Sequence, residues 1–226
     1  MTSSAIFFFS MVTALVLSAQ EQSVKPGIND PFEDPNVPQF IERFEKEGRE
    51  VYDQRAEIIA ALGIGPGTAV ADIGCGTGLF TRMLGKEVGK TGTVYAVDIA
   101  RKFVDYTLLT CSTRGLMNVQ GVVCPPDDSG LAPESIDLAF VCATYHHFEY
   151  PFKSMSSLRK ALRPGGAVVI VDFERIPGIS SDWILNHVRA GREEVIEEIR
   201  NSGFELVEER DDLFSENYFL RFEPLK

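Results

Sequence analysis

The sequence is short of cations: 22 Lys and Arg stand against 33 Asp and Glu, for a formal charge of −11. Such a surface repels phosphate backbones, so nucleic acid is excluded as an expected partner. The deficit is steepest near the C-terminus, where ten acids between Glu193 and Glu216 meet only Arg192, Arg200 and Arg210. Cysteine is scarce and unpatterned. Cys75, Cys111, Cys124 and Cys142 form no C-x-x-C pair and no metal-type spacing, so they are expected to be plain small buried residues rather than a disulfide framework or a zinc site. There is no internal repeat and no low-complexity tract, which excludes solenoid and fibrous architectures. No apolar run reaches the ~20 residues that a membrane-crossing helix takes. What is there is ordinary globular composition: 226 residues, 44% hydrophobic and 10% aromatic. A single domain of that size buries roughly 70% of its unfolded-chain surface and needs no staples.

The N-terminus stands apart. Residues 1–19 carry no charged side chain, and the stretch Ala5 to Leu17 is interrupted only by Ser10 and Thr13. It ends in the small residues Ser18 and Ala19, so residues 1–19 read as a secretory signal peptide, with export of the mature chain to a periplasmic, extracytoplasmic or secretory compartment. No Lys or Arg precedes the stretch, and Lys25 is the first cation after it. That leaves open an uncleaved membrane anchor with the domain in the cytoplasm, in which case this segment is the chain's one membrane contact. Residues 20–37, with Pro26, Gly27, Pro31 and Pro35 among Asn and Asp, read as a linker or a draping arm. Residues 38–226 read as the main folded domain.

Within that domain Phe40, Ile41, Phe44, Val51, Tyr52, Ile58, Ile59 and Leu62 recur at roughly helical spacing, predicting one long amphipathic helix that ends at Gly63. From Thr68 onward short β-rich runs alternate with helical stretches. The strands are expected at 69–73, 93–97, 119–123, 136–142, 167–173, 205–209 and 218–222. The helices between them are expected at 79–88, 101–113, 153–162 and 192–201. Apolar strands alternating with helices imply a parallel sheet covered on both faces. The last two strands are separated by a connection too short for a helical crossover, so they should pair antiparallel. The fold class is therefore α/β: a doubly wound, seven-stranded, mostly parallel sheet with a terminal antiparallel hairpin.

The first strand runs into Asp72-Ile73-Gly74-Cys75-Gly76-Thr77-Gly78 and then a helix. Glycines at such a turn let the backbone fold sharply against a ligand, and the following helix N-terminus presents free N–H groups. The second strand ends in Asp98, where a carboxylate can accept both hydroxyls of a ribose. The dinucleotide fingerprint requires Gly or Ala where this chain has Leu79, which disfavours a nicotinamide oxidoreductase. Asp72 beside the loop would repel a pyrophosphate but attract an ammonium group. The ligand implied has a ribose, an amino group and no phosphate.

With these residues in view, the sequence resembles the class I S-adenosylmethionine-dependent methyltransferases of the small-molecule type, including the quinone-methyltransferase-like group. The matching segments are VADIGCGTG at 70–78, the acid after YAV at Asp98, IDLAFVCATYHHF at 136–148 and LRPGGAVVIVDF at 162–173. The resemblance implies S-adenosylmethionine as cofactor and S-adenosylhomocysteine as product. It implies that Gly74, Cys75, Gly76 and Gly78 line the methionine and ribose portions, that Asp72 meets the amino group and Asp98 the ribose, and that Ile99 packs on adenine. The polar contact to adenine is expected from the turn after the third strand, with Asp127 as the candidate.

The resemblance implies that segment 143–148 faces the cofactor's methyl group. The resemblance puts His146 and His147 there, and a neutral imidazole can take a proton from a hydroxyl or a carbon acid at neutral pH. The Asn/Asp-Pro-Pro-aromatic signature of exocyclic-nitrogen methylation is absent, so the acceptor is expected to be a small molecule methylated at oxygen, carbon or sulfur. Tyr52, Tyr145, Trp183 and His187 are the candidates to line its pocket. The sequence places no carboxylate or third ligand beside the histidine pair, so no metal site is expected. The competing function is a noncatalytic cofactor-binding or scaffold domain of the same fold.

Overall fold

The expected terminal hairpin and parallel core are both present, in a seven-stranded sheet of order β3-β2-β1-β4-β5-β7-β6. The structure is a computed structural model and describes residues 20–226; the signal or anchor expectation for residues 1–19 lies outside the described residues. The strands are β1 (Ala69–Ile73), β2 (Thr93–Asp98), β3 (Val119–Val123), β4 (Ile136–Cys142), β5 (Leu162–Phe173), β6 (Phe204–Glu209) and β7 (Asn217–Pro224). Pairings among β1 to β5 are parallel, whereas β7 runs antiparallel to both β5 and β6. Strand order reverses between β1 and β4, and in such sheets the crevice outside the strand C-termini at that point is where ligands bind.

Two-residue periodicity divides the core between the two faces of the sheet. Ala71, Ile73, Ala139, Val141, Val168 and Ile170 pack on one side with Met155, Leu158 and Ile199. Val70, Leu138, Phe140, Val169 and Val171 pack on the other with Val51, Ile58, Leu62 and Leu84. Because both faces are covered, β1 is buried along its whole length, and its run Ala-Val-Ala-Asp-Ile shows no polar alternation apart from Asp72. Each fully buried large aliphatic or aromatic side chain here stabilises the fold by about 1.5–3 kcal/mol relative to exposure. β5 begins five residues earlier than expected, at Leu162, because the Pro164-Gly165-Gly166 segment joins the strand, with an irregularity of register opposite Ile136–Leu138. All four cysteines are free; Cys75 and Cys111 are buried, Cys124 and Cys142 half-buried.

The N-terminal helix departs from expectation. Three shorter helices, Val37–Phe44, Glu50–Asp53 and Arg55–Ala61, replace the single long one. The break falls at Gly48, which adopts φ +83°, followed by Arg49 in an extended conformation. A helix cannot pass through that left-handed residue, and the chain turns there instead. The turned segment is held down by Glu50, whose carboxylate accepts the N–H groups of Ser215, Glu216 and Asn217 and the Ser215 hydroxyl, at 2.6–2.9 Å. A second tie joins Arg82 to Glu45 through two hydrogen bonds of 2.8 and 2.7 Å.

The segment ahead of helix Val37–Phe44 lies against the rest of the chain. Gln20 Oε1 accepts the N–H groups of Phe152 and Lys153 at the start of helix Pro151–Ala161. Lys25 Nζ donates to the His187 carbonyl at 2.8 Å, and Asn29 Nδ2 to the His147 carbonyl at 3.1 Å. Phe32 then packs edge-on against His147, with ring centres 4.9 Å apart. Among the described residues no helix is long and apolar enough to cross a membrane.

Candidate active site

The glycine turn after β1 is built by close approach. Gly74 has φ +72°, and a Cβ there would lie 2.3 Å from Thr144 Cγ2; Gly78 has φ +75°, and a Cβ there would lie 2.5 Å from Thr107 Oγ1. Gly78 directly precedes helix Leu79–Glu87, so the turn ends where that helix opens its unpaired N–H groups. Gly74 and Gly76 lie on the wall of a cavity of about 670 Å³ at the switch point, whereas Gly78 and Cys75 lie behind it. Cys75 instead packs in a small cluster with Ala96 and Val104.

Asp98 and Ile99 line the same cavity. Asp98 Oδ2 accepts the Gly76 N–H at 2.9 Å and Oδ1 the Ala100 N–H at 2.8 Å, which fixes the carboxylate in plane and leaves one lone pair on each oxygen for a ligand. Burial pushes its pKa up to about 6, against the pull of those donors. Asp72 is not on the cavity wall. Its Oδ2 accepts the Thr81 hydroxyl at 2.5 Å behind the glycine turn, and burial raises its pKa to about 7 despite that bond. Its reach to a ligand is through the field it exerts on the loop.

Two candidates move by one position or one side chain. Asp127 points outward and pairs with Lys153 at 3.2 Å, whereas its neighbour Asp128 lines the cavity and accepts the Gly130 N–H at 2.8 Å. Two prolines before this turn hid which of the adjacent acids faces inward. Tyr52 is half-buried under the Arg55 guanidinium, 4.2 Å from its ring centre, and does not line the cavity. The turn at Gly48 presents Arg49 and Glu50 there instead.

The opposite end of the cavity is aromatic and basic. His146, His147, Trp183, His187, Phe173 and Phe32 line it. Residues Tyr145–His147 form a single 3-10 turn, so successive side chains leave in different directions. Tyr145 is therefore turned into the core, fully buried, where its hydroxyl donates to Glu198 Oε2 at 3.0 Å. It cannot contact an acceptor. Trp183 stacks on His187 with ring centres 4.8 Å apart.

Asp172, at the end of β5, was not singled out in the sequence and is the partner that organises this end. Its Oδ1 lies 2.8 Å from His146 Nδ1, and its Oδ2 accepts the His146 backbone N–H at 3.0 Å. Burial alone would raise the carboxyl pKa, but the charge and hydrogen bonds of His146, with the Phe173 N–H, hold it below the ordinary carboxylate range. With Nδ1 turned to the ionised Asp172 carboxylate, Nε2 is the ring nitrogen of His146 left to meet a ligand. His147 Nε2 lies 3.3 Å from His187 Nε2. Burial and the neighbouring His146 and His187 push His147 down to about 3, and burial with the nearby His146, Lys25 and Arg43 pushes His187 down to about 4, so both are neutral at physiological pH. The third imidazole that the sequence did not place beside the pair is thus His187.

Arg49 was also missed. Its Nη1 donates to the Phe44 carbonyl at 3.0 Å, it faces the cavity, and burial lowers its pKa. Nothing in its sequence neighbourhood sets it apart from the five charged residues around it.

A family model described as a methyltransferase domain matches residues 71–170. The ubiquinone/menaquinone biosynthesis C-methyltransferase UbiE of Hydrogenovibrio crunogenus is 27% identical over 119 residues, which cover 52% of this chain and 47% of that protein. The UbiE of Cupriavidus taiwanensis is 27% identical over 123 residues, covering 52% and 48%. The chain spans about half the length of these curated relatives. Among solved structures, a SAM-dependent methyltransferase from Aquifex aeolicus superimposes with a TM-score of 0.73 at 22% identity, covering 82% of this chain and 97% of that one.

Proposed function

We propose that this chain is a class I S-adenosylmethionine-dependent methyltransferase and that it moves the cofactor's methyl group to an oxygen or carbon of a small, planar, partly apolar acceptor. The observation that carries this is one cavity with two unlike ends: Asp98 with Gly74 and Gly76 at one, and His146 backed by Asp172 amid aromatic rings at the other.

In this reading the free lone pairs of Asp98 accept the ribose hydroxyls, Ile99 and Phe103 enclose the adenine, and Asp128 meets its amino edge. Asp72 stabilises the ammonium from behind the glycine turn, and Arg49 pairs with the methionine carboxylate. The bound cofactor supplies an electrophilic methyl on a sulfonium with a neutral thioether leaving group. Holding acceptor and methyl in line therefore supplies much of the rate. His146 Nε2 takes the acceptor's proton, and Asp172 stabilises the imidazolium that results. Phe173, Trp183 and Phe32 offer flat apolar faces suited to an aromatic or quinone-like ring. The names of the curated relatives point the same way, toward carbon methylation in quinone biosynthesis. A scaffold without catalysis would leave the His146–Asp172 couple and the apolar acceptor end without a purpose.

The test is a screen of phenols, hydroquinones and enolisable diketones with S-adenosylmethionine, reading S-adenosylhomocysteine release. Turnover of at least one class, abolished by His146→Gln with cofactor binding intact, supports the assignment. Turnover unaffected by that substitution refutes the role of His146. Export of the chain by residues 1–19 remains a proposal that rests on their apolar, charge-free sequence. N-terminal sequencing of the natural protein decides it, because an intact Met1 ends the export reading.

A further inference from the structure

The chain has three histidines, and the fold brings all of them to one end of one cavity. His146 and His147 come from the turn after β4, and His187 from the end of helix Asp182–His187. One ring nitrogen from each lies within 4.8 Å of those of the other two. The Nε2 atoms of His147 and His187 are 3.3 Å apart. A tetrahedral ion with metal–nitrogen bonds of ~2.0–2.1 Å has nitrogen–nitrogen edges of about 3.3–3.4 Å.

Two further features fit a metal centre better than a chance meeting of imidazoles. The His146 Nδ1 contact with Asp172 is the carboxylate–histidine support that orients metal-ligating imidazoles, and it aims Nε2 away from Asp172. Asp172 is buried and ionised, so it also supplies a negative charge next to a dication. The other ring nitrogen of His147, Nδ1, is buried with no hydrogen-bond partner, so the placement of this ring rests on its Nε2 contact with His187. A His147–His187 hydrogen bond explains one pair and Asp172 orients His146, but neither explains why all three rings turn a nitrogen toward the same place.

We propose that His146, His147 and His187 together hold one divalent transition-metal ion of the zinc class, with a fourth coordination position open to the acceptor end of the cavity. Three imidazoles without thiolate suit zinc, cobalt, nickel or copper, whereas magnesium and calcium prefer oxygen ligands. Lys25 and Arg43 stand nearby and oppose a dication, but Lys25 Nζ is committed to the His187 carbonyl and Asp172 offsets the charge. The open position would take an acceptor hydroxyl or enol oxygen as its conjugate base, the proton passing to solvent. The ion would then replace His146 as the group that stabilises the deprotonated acceptor. That use of the ion rests on the methyl-transfer reading; the site itself does not.

The experiment strips the full chain with a chelator and titrates it with cobalt(II), following the visible ligand-field absorption, while S-adenosylhomocysteine binding is measured in parallel. The expected result is one equivalent of cobalt in a four-coordinate environment of three nitrogens and one exchangeable oxygen, displaced by zinc, with affinity reduced at least 10-fold in His187→Ala and about 10–100-fold in Asp172→Asn. In the wild-type protein, one equivalent of zinc should shift the imidazole proton signals of all three histidines, a readout that needs no variant to fold. Absence of a saturable cobalt spectrum, or equal affinity in the His147→Ala/His187→Ala variant, overturns the proposal. Retained metal binding with no S-adenosylhomocysteine binding would instead sink the cofactor assignment and leave the metal site standing.

Discussion

Asp172 Oδ1 sits 2.8 Å from His146 Nδ1 while Oδ2 of the same carboxylate takes the His146 backbone N–H at 3.0 Å, so one side chain fixes both the position and the tautomer of the imidazole. The pair is buried, and truncating one member strands the other. Asp172→Asn keeps the shape but removes the charge that stabilises a protonated His146. We expect kcat to fall by about 10²–10³-fold, within the range of general-base contributions, with S-adenosylhomocysteine affinity changed less than threefold. Steady-state kinetics beside calorimetric titration separates the two effects; a matching loss of cofactor affinity would mean the residue serves the fold rather than the acceptor.

The cofactor end carries its own pH dependence. The Asp98 pKa is raised to about 6 and that of Asp72 to about 7 by burial, and both carboxylates are asked to bind as anions. Affinity for S-adenosylhomocysteine should therefore be full above neutral pH and fall as pH drops through 7 and 6. For Asp98 alone the loss between pH 7 and pH 5 is about tenfold. Isothermal titration across this range checks it, and an affinity that is flat or rises toward pH 5 contradicts the roles given to the two acids.

Asp72 also makes a stability prediction of definite sign. Its folded pKa lies above the ordinary value of 3.8, so in the absence of ligand the folded chain binds a proton that the unfolded chain has lost. The stability this contributes is present at low pH and disappears as pH rises through about 4 to 7. Asp72→Asn should then be more stable than the wild type at pH 8, by as much as a few kcal/mol at ~1.4 kcal/mol per pKa unit, and no more stable at pH 4. Urea midpoints at the two pH values give the answer.

Gly74 tests the glycine turn. A methyl group there meets Thr144 at 2.3 Å on a backbone with φ +72°. Gly74→Ala should cost about 1–3 kcal/mol of stability and abolish cofactor binding, and adding Thr144→Gly should recover part of the stability but not the backbone strain. A double variant no more stable than Gly74→Ala would show that the contact with Thr144 is not the cause.

Much of this architecture was legible in the sequence, because local chemistry alone decides it. Buried parallel strands read as unbroken apolar runs, and glycine with an acid at consecutive strand ends marks a nucleoside site. What escaped was orientation. Tyr145, His146 and His147 are neighbours in sequence, yet a 3-10 turn sends the first into the core beside Glu198 and the other two into the cavity. Tyr52 was assigned to the pocket from an unbroken helix, and the left-handed Gly48 put Arg49 there in its place. Asp172 and His187 meet His146 and His147 only through the packing of β5 and the arm-held helix after it, for which no spacing rule exists. Asp127 and Asp128 differ in role by the direction of a turn with two prolines.

The most direct test of the account is calorimetric titration of the full chain with S-adenosylhomocysteine at pH 7.5, beside Asp98→Ala. Micromolar binding to the wild type is expected, weakened by ~1 kcal/mol or more when the carboxylate that is fixed by Gly76 and Ala100 is removed. A folded wild type that binds nothing, or an Asp98→Ala variant that binds equally well, would contradict it.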